Sequence, residues 1–300
     1  MASPTPDRRL LAIGCRLLAA VLLTMMFALV KLVDARGVSL LESLFYRQAL
    51  ALPLVLGWLL AGPGLASVRT ERFGAHLWRT LIGLGGMALN FLTFTLLPLA
   101  EATVLLFTTP IFATILSALL LGEQVGRHRW AAVLLGFAGV AVVVSPGSWA
   151  VPPLGVAVGL TAATVVSGVS ITLRQIGRTE SATTTVFWFT ALSSGALALA
   201  LPFAGRTHDP TTYALLVALG LTGGLAQFAL TASLRLAPVS VVMPMDYSNL
   251  VWAALLGWLV FATVPSPTLW LGAPLIIASG LWIGWREHVR RKDASALVTD

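Results

Sequence analysis

Two charged residues fall inside stretches of sequence that are otherwise apolar. Asp246 lies in VVMPMDYSNLVWAALLGWLVF, residues 241–261, and Arg47 lies in ESLFYRQAL, residues 42–50. A charge near the centre of a bilayer costs about 2.5 to 3.5 kcal/mol on insertion scales, so it is found beside a partner or a water-filled cavity. We therefore expect both side chains to face the interior of a helix bundle.

Two interpretations of this pair stay open. In the first, Arg47 and Asp246 lie on opposite sides of one cavity and bind the carboxylate and the ammonium group of an amino-acid zwitterion, or Asp246 carries a coupling proton. In the second, the two side chains neutralise each other, or Asp246 is a structural carboxylate that bonds a neighbouring helix or a buried arginine. Exchanging the two charges would preserve function under the second interpretation and abolish it under the first.

Other polar side chains could line the same cavity. At about 100° per residue, Ser43 and Tyr46 share a helical stripe with Arg47, and Asn249 lies on the same side as Asp246. Amides also occur in two apolar runs at corresponding depths of the two halves of the chain, and interhelical hydrogen bonding is their alternative role. These two amides are Asn90 and Gln227.

Aromatic residues within the apolar runs could stack on a planar or cationic solute. They are Trp188, Tyr247 and Trp252, and packing against neighbouring helices is the commoner role of such residues. No metal or cofactor is expected. The candidate substrate-binding residues are Asp246, Arg47, Tyr46, Ser43, Asn90, Trp188, Gln227, Tyr247, Asn249 and Trp252.

Membrane-spanning helices must position these residues. Of the 300 residues, 57% are hydrophobic and 10% are charged, whereas a soluble domain has about 25% charged residues. A bilayer core of about 30 Å needs about 20 apolar residues per helix, and the runs here are continuous rather than alternating. The sequence therefore predicts an all-α, polytopic membrane protein in which any site lies inside the helix bundle.

The apolar runs predict ten transmembrane helices. Eight of them lie around 17–33, 40–60, 77–97, 102–122, 130–144, 154–173, 181–205 and 210–234. The final run, 247–285, is long enough for two crossings separated by a turn at 264–267.

The distribution of basic residues predicts the orientation. With a cytoplasmic amino terminus, fifteen Lys and Arg residues fall at inside loops and ends and three fall outside, as the positive-inside rule requires. This count assigns Arg16 and Arg79 to inside ends and Lys31 to an outside loop. The net charge of +7 is thereby explained without nucleic acid. We expect a multi-pass protein of the inner (plasma) membrane with both termini cytoplasmic.

The two halves of the chain resemble each other. LAEATVLLFTTPIFATILSALLLGEQVGRHRW, from Leu99, lines up with LAPVSVVMPMDYSNLVWAALLGWLVFATVPSPTLW, from Leu236. Five helices per half is an odd number, so the second copy would cross the membrane upside down. The prediction is two inverted five-helix repeats, residues 1–150 and 151–300, around a central cavity near the midplane.

The first repeat resembles the EamA family of the drug/metabolite transporter superfamily. The resemblance rests on Pro110, on the pair Gly122-Glu123 and on the glycines around Gly136 and Gly139, and MPMDYSNLVWAALLGWLVFATVPSPTLWLGAPLIIASGLWIG resembles the second repeat. It implies a ten-helix exporter of small metabolites, often amino acids, and the aromatic amino-acid exporter branch is similar in length and pattern. Ala262-Thr263 replaces the second Gly-Glu pair, so Glu123 has no symmetric partner.

Missing motifs narrow the function classes. The sequence has no G-x-x-x-x-G-K-[ST] loop and no H-E-x-x-H motif, and its four histidines fall near loops. We expect a secondary transporter that exports amino acids or related organic solutes by alternating access, not an enzyme. The partners would be a small molecule and the lipid bilayer, with a monomer as the expected assembly. An intramembrane enzyme acting on lipid-linked substrates, or a channel, is the alternative.

Overall fold

The computed structural model describes residues 6–62, 64–123, 125–145, 151–177 and 179–296, with side chains except at 6–7, 239–240 and 287–296. Within these ranges the regular structure is helical and contains no strand, which confirms the predicted all-α class. Seven stretches of the described chain are long and apolar enough to cross a membrane. The total of ten crossings and the inverted relation of the halves stay predictions.

The helices follow the apolar runs closely. Their bounds are α1 (Pro6–Asp34), α2 (Leu40–Ala61), α3 (Phe73–Leu96), α4 (Leu99–Leu106), α5 (Thr109–Leu121), α6 (Arg127–Val143), α7 (Pro153–Ile176), α8 (Ala182–Ala204), α9 (Pro210–Leu236), α10 (Val239–Val242), α11 (Asn249–Phe261) and α12 (Pro267–Ala296). The seven candidate spans are α1, α2, α4 with α5, α7, α8, α9 and the first part of α12.

Two of the predicted helices are interrupted. The run 102–122 breaks between α4 and α5, where Pro110 cannot donate a backbone hydrogen bond and the Thr108 hydroxyl donates to the Leu105 carbonyl. The run 241–261 contains the 3₁₀ segment Met243–Ser248 before α11 begins. Asp246 lies in this segment, so the expectation that it shares a continuous α-helical face with Asn249 was wrong.

Three basic residues that the sequence analysis placed at loops or helix ends lie within the helices. Lys31 is in the last turn of α1, and its Nζ donates to the carbonyl oxygens of Phe94, Thr95 and Leu97 at the end of α3. Lysine stems reach away from apolar surroundings to find such acceptors. Arg16 and Arg79, which the count placed at inside loops and ends, lie inside α1 and α3.

Glycines allow the helices to approach closely. A Cβ on Gly139 of α6 would lie 2.8 Å from the Gly272 carbonyl oxygen of α12, and one on Gly272 would lie 2.6 Å from the Gly139 carbonyl oxygen. Such contacts between small residues are the usual basis of packing in membrane bundles. In the same way α9 meets α2, where a Cβ on Gly220 would lie 2.5 Å from the Tyr46 carbonyl oxygen.

The helices pack in pairs that bring the two halves of the chain together. α1 packs along α9 and α6 packs along α12, while α2 contacts both α8 and α9. α3 contacts α7 and α8. Consequently α2 and α3, from the first half, face α8 and α9, from the second, and these four helices enclose the candidate site.

Candidate functional site

A cavity of about 210 Å³ lies between α2, α3, α8 and α9. Its position between helices of a bundle is typical of sites for small organic molecules. The described residues that line it are Arg47, Ala51, Val55, Trp58, Arg79, Ala182, Thr183, Val186, Phe189, Thr190, Gly224, Gln227, Phe228, Thr231, Ala232 and Arg235.

Two guanidinium groups with buried nitrogen atoms dominate the cavity. Arg47 on α2 is 8% exposed, and its Nη1 donates to Gln48 Oε1 while its Nε has no hydrogen-bond partner in the described structure. Arg79 on α3 lies over the ring of Phe189, with its Cζ 3.8 Å from the ring centroid. Its Nε and Nη1 are likewise buried without a partner among the described atoms.

A small residue makes room for Arg79. A Cβ on Gly83, one helical turn later, would lie 2.6 Å from Nη1 of Arg79 and 3.0 Å from the Phe189 ring. Helix α3 therefore places its arginine against α8 only because this turn carries no side chain. Substitution at Gly83 would push the guanidinium group out of its present position.

No carboxylate occurs among the described residues that line the cavity, whereas a third arginine does. Arg235, near the end of α9, is exposed, and its Cζ lies 6.0 Å from the Trp58 ring centroid. Charges in a site with low-dielectric walls reinforce one another and attract ions of opposite sign. The cavity is therefore strongly positive.

Aromatic and hydroxyl groups complete the lining. Trp58, Phe189 and Phe228 offer ring surfaces, and the Trp58 and Phe228 rings meet edge-on with centroids 6.4 Å apart. Gln227 supplies an amide that can both donate and accept. A planar solute with polar substituents could be held between these rings while the arginines donate hydrogen bonds to it.

Asp246 is paired outside this lining. Arg16 on α1 donates from Nε to Oδ1 and from Nη2 to Oδ2, both at 2.5 Å. Arg47 therefore does not neutralise Asp246, and that interpretation was wrong. Nor does the structure place Asp246 among the described residues that line the cavity with Arg47. The partner of the carboxylate is an arginine 230 residues earlier in the chain.

Of the predicted site residues, only Arg47 and Gln227 belong to the described lining. Trp188 donates from Nε1 to the Val68 carbonyl oxygen at 2.9 Å, and its neighbour Phe189 lines the cavity instead. Ser43 is buried within α2, outside the described lining. Tyr46 packs beside Tyr213 of α9, with ring centroids 6.5 Å apart.

The remaining predicted residues lie among other helices. Tyr247 meets the Phe107 ring edge-on with centroids 4.9 Å apart, and Asn249 Oδ1 lies 3.2 Å from the Thr24 hydroxyl. Asn90 Oδ1 and Trp252 Nε1 are buried without a partner in the described chain. These positions remain candidates for contacts with a solute, although none lines the described cavity.

Sequence reasoning missed several lining residues, namely Trp58, Arg79, Phe189, Phe228 and Arg235. Arg79 was missed because the predicted helix begins at residue 77, which puts Arg79 at its inside end. In the structure α3 begins four residues earlier, at Phe73, so Arg79 lies further into the helix. A signal was present in the spacing of Arg79 and Gly83, which puts a charge and a gap one turn apart on one helix face.

The sequence pattern of the EamA-like transporter family matches residues 10–145 and 153–285. A riboflavin transporter of Vibrio cholerae is 34% identical over 251 residues, which are 82% of this chain and 84% of that protein. The pseudopaline exporter CntI of Pseudomonas aeruginosa PAO1 is 29% identical over 266 residues, 87% and 92% of the two chains. An S-adenosylmethionine uptake transporter of Rickettsia felis is 27% identical over 227 residues, 75% and 76% of the two chains.

A solved crystal structure with 21% identity superposes with a TM-score of 0.59 over 92% of this chain and 96% of the other, which shows a shared fold. The two family matches cover most of the sequence and fall on either side of the link between α6 and α7. They confirm the predicted resemblance and the expectation of a transporter rather than an enzyme. The chain belongs to the EamA-like transporter family.

Proposed function

We propose that the chain is a secondary transporter that moves a small organic solute through the cavity between α2, α3, α8 and α9. The observation that carries this proposal is that both halves of the chain contribute residues to the cavity lining. Arg47 and Arg79 come from the first family match, and Phe189 and Gln227 come from the second. A site shared between two halves can open to either side when the halves rock against each other, which is alternating access.

The proposal includes the predicted topology. Residues 1–150 and 151–300 would be two inverted five-helix repeats with ten crossings, placed in the inner membrane with both termini in the cytoplasm. The double family match supports a division near residue 150. The positions of the two helix breaks also support it, since Phe107 after α4 and Pro244 in the 3₁₀ segment align when Leu99 is matched with Leu236.

In this topology the cavity faces the cytoplasm. Its lining extends toward the ends of α2 and α9, at Trp58 and Arg235, and toward the beginnings of α3 and α8. These four ends lie at loops that the basic residues assign to the inside. At the other end of the cavity α9 is pressed against α2 at Gly220. We infer that this conformation is open inward and closed outward.

Riboflavin is the first solute to test. Riboflavin transporters of Vibrio cholerae, Rhizobium johnstonii and Brucella anthropi are 30% to 34% identical to this chain. The rings of Trp58, Phe189 and Phe228, together with the Gln227 amide, offer stacking and hydrogen bonding to a planar ring with carbonyl groups.

Aromatic amino acids are the second candidate, as the sequence resemblance implied. Arg47 and Arg79 are suited to a carboxylate group, because a guanidinium can donate two parallel hydrogen bonds to it. Net export was the expectation from the sequence.

The test is counterflow of labelled riboflavin and labelled tryptophan in proteoliposomes that hold the purified chain. Ala232→Trp fills the cavity, and Ala131→Trp makes the same change at an exposed position of α6. We expect saturable counterflow that Ala232→Trp abolishes and Ala131→Trp preserves. Equal inhibition by both variants, or flux that does not saturate, would contradict transport through this cavity.

A further inference from the structure

No carboxylate among the described lining residues offsets the positive charge of the cavity. The buried carboxylates of the described chain are engaged elsewhere. Glu42 accepts from the Arg206 amide and contacts His208, Glu101 accepts from the Ser266 amide, and Glu180 accepts from Thr70. Asp246 is held by Arg16.

An unneutralised cation is expensive in the interior of a membrane protein. Arg47 is 92% buried, since its exposed fraction is 8%, and its Nε lacks a partner in the described structure. Arg79 has two buried nitrogens, Nε and Nη1, that also lack a hydrogen-bond partner in the described structure. Two such groups on one cavity would repel each other as long as nothing negative lies between them.

We propose that the transported solute is a planar organic anion whose carboxylate or phosphate group binds between Arg47 and Arg79. This inference rests on the proposed function and specifies the charge of its substrate. Both acidic groups are oxyanions that accept bidentate hydrogen bonds from guanidinium groups. Binding supplies the missing negative charge, and the ring of the solute lies against Trp58 and Phe228, which line the same cavity.

The lining discriminates against a zwitterion. The ammonium group of an amino acid needs a carboxylate or several carbonyl acceptors, and the described lining contains three arginines and no carboxylate. Amide and hydroxyl oxygens of Gln227, Thr183 and Thr231 are weak substitutes for a negative charge near other cations. An anion that lacks the ammonium group therefore binds more tightly than the amino acid with the same ring.

The experiment compares solutes that differ in charge but share a ring. Purified full-length chain in nanodiscs is titrated with indole, tryptophan and indole-3-acetate, and with riboflavin and its 5′-phosphate, and the thermal shift gives each affinity. We expect indole-3-acetate to bind at least about tenfold more tightly than indole or tryptophan, or the phosphate ester at least about tenfold more tightly than riboflavin. The acidic group of the preferred solute tells carboxylate from phosphate.

Variants connect this preference to the two arginines. We expect Arg79→Gln and Arg47→Gln to reduce the ratio of anion to neutral affinity to near one, while Arg47→Lys retains part of it. Arg36→Gln is the matched control, because Arg36 is exposed after α1 beside Asp209 and outside the cavity lining. It should leave the ratio unchanged.

Each outcome separates the two proposals. Equal affinity for neutral and anionic solutes, or a preference that survives Arg79→Gln, overturns the anion proposal even if counterflow of riboflavin succeeds. A preference that depends on both arginines shows that the cavity binds anions even if no tested solute is transported. In that case the anion-binding site stands, and the claim that its ligand is the transported solute fails together with the proposed function.

Discussion

Arg16 and Asp246 form two parallel hydrogen bonds that join α1 to the 3₁₀ segment. This pairing of a guanidinium with both oxygens of a carboxylate adds energy and geometric specificity to an ion pair. The Arg16 side chain is 10% exposed and the Asp246 side chain 33% exposed, so solvent screens this ion pair only in part. The carboxylate in the apolar run thus holds α1 against the region where the helix is interrupted.

We expect Asp246→Ala to lower the stability of the folded chain by roughly 2 kcal/mol, because it leaves Arg16 buried without its partner. The cost is below that of a fully buried pair, since a third of the Asp246 side chain is exposed. The midpoint of thermal unfolding in detergent measures it. The exchanged pair Arg16→Asp with Asp246→Arg should recover part of the loss, and no recovery would indicate that other contacts explain it.

Removing the charge of Arg47 should not destabilise the folded chain, in contrast to removing that of Asp246. It is buried without a carboxylate partner in the described structure, so Arg47→Met removes a desolvation cost and leaves no charge behind. We expect the unfolding midpoint of the empty protein to stay equal or to rise, while binding of the solute is lost. A fall as large as that of Asp246→Ala would mean that Arg47 has a structural partner.

At the residue scale the sequence identified charges that need partners, but it could not choose the partners. Arg47 and Asp246 are conspicuous because their neighbours are apolar. Arg16 and Arg79 lie near the starts of the predicted apolar runs, 17–33 and 77–97, where an arginine is equally expected in an aqueous loop. Which charge meets which depends on how helices rotate about their axes, and the local sequence does not specify that rotation.

Glycine contacts decide how closely α6 and α12 approach. The backbones meet at Gly139 and Gly272, where each residue's added Cβ would strike the carbonyl oxygen of the other. Gly284 lies four residues after Gly280 in α12, a spacing common among packed membrane helices, yet it is exposed and an added Cβ would meet nothing within 4 Å. Spacing alone does not tell a packed glycine from one that faces outward.

Gly139→Ala should destabilise the chain by about 1 to 3 kcal/mol, because the methyl group would force α6 and α12 apart. The matched control is Gly195→Ala in α8, where an added Cβ meets nothing within 4 Å. It should be neutral or slightly stabilising, as alanine is a better helix former. The midpoints of thermal unfolding of the two variants measure this difference. Equal midpoints would contradict the claim that Gly139 is needed for the close approach of α6 and α12.

At the element scale the helices were predictable because each needs a long apolar run to cross the membrane. The interruptions within the helices were not predictable, because the amino-acid composition stays apolar across them. Pro110 marks the first break, yet proline also occurs within α2 at Pro53 and within α12 at Pro274 without ending either helix. Tertiary contacts, rather than the proline itself, determine whether a membrane helix continues.

The whole molecule is a bundle whose cavity is shared by both halves of the chain. The family and the transporter class were predictable from sequence because their motifs are local and occur twice. The cavity lining was not, since it requires four helices from different parts of the chain to be oriented together. Only Arg47 and Gln227 of the ten predicted residues belong to the described lining.

Accessibility tests the inward-open conformation of the whole molecule. In a Cys15→Ser background, Thr231→Cys lies in the cavity and Thr211→Cys is exposed near the start of α9. We expect a membrane-impermeant maleimide to label Thr231→Cys only from the cytoplasmic side and Thr211→Cys only from the outside. Labelling of Thr231→Cys from the outside alone would reverse the proposed orientation or the open side.

The two interrupted regions touch each other, through the edge-on contact of Phe107 with Tyr247. A continuous α-helix transmits torque along its axis, because successive hydrogen bonds tie each turn to the next. Where those bonds are interrupted or shortened to 3₁₀ spacing, one half of a helix can turn while the other half stays in place. Because the two interruptions touch each other, we expect any rotation of α5 to be passed to α11 through these two rings.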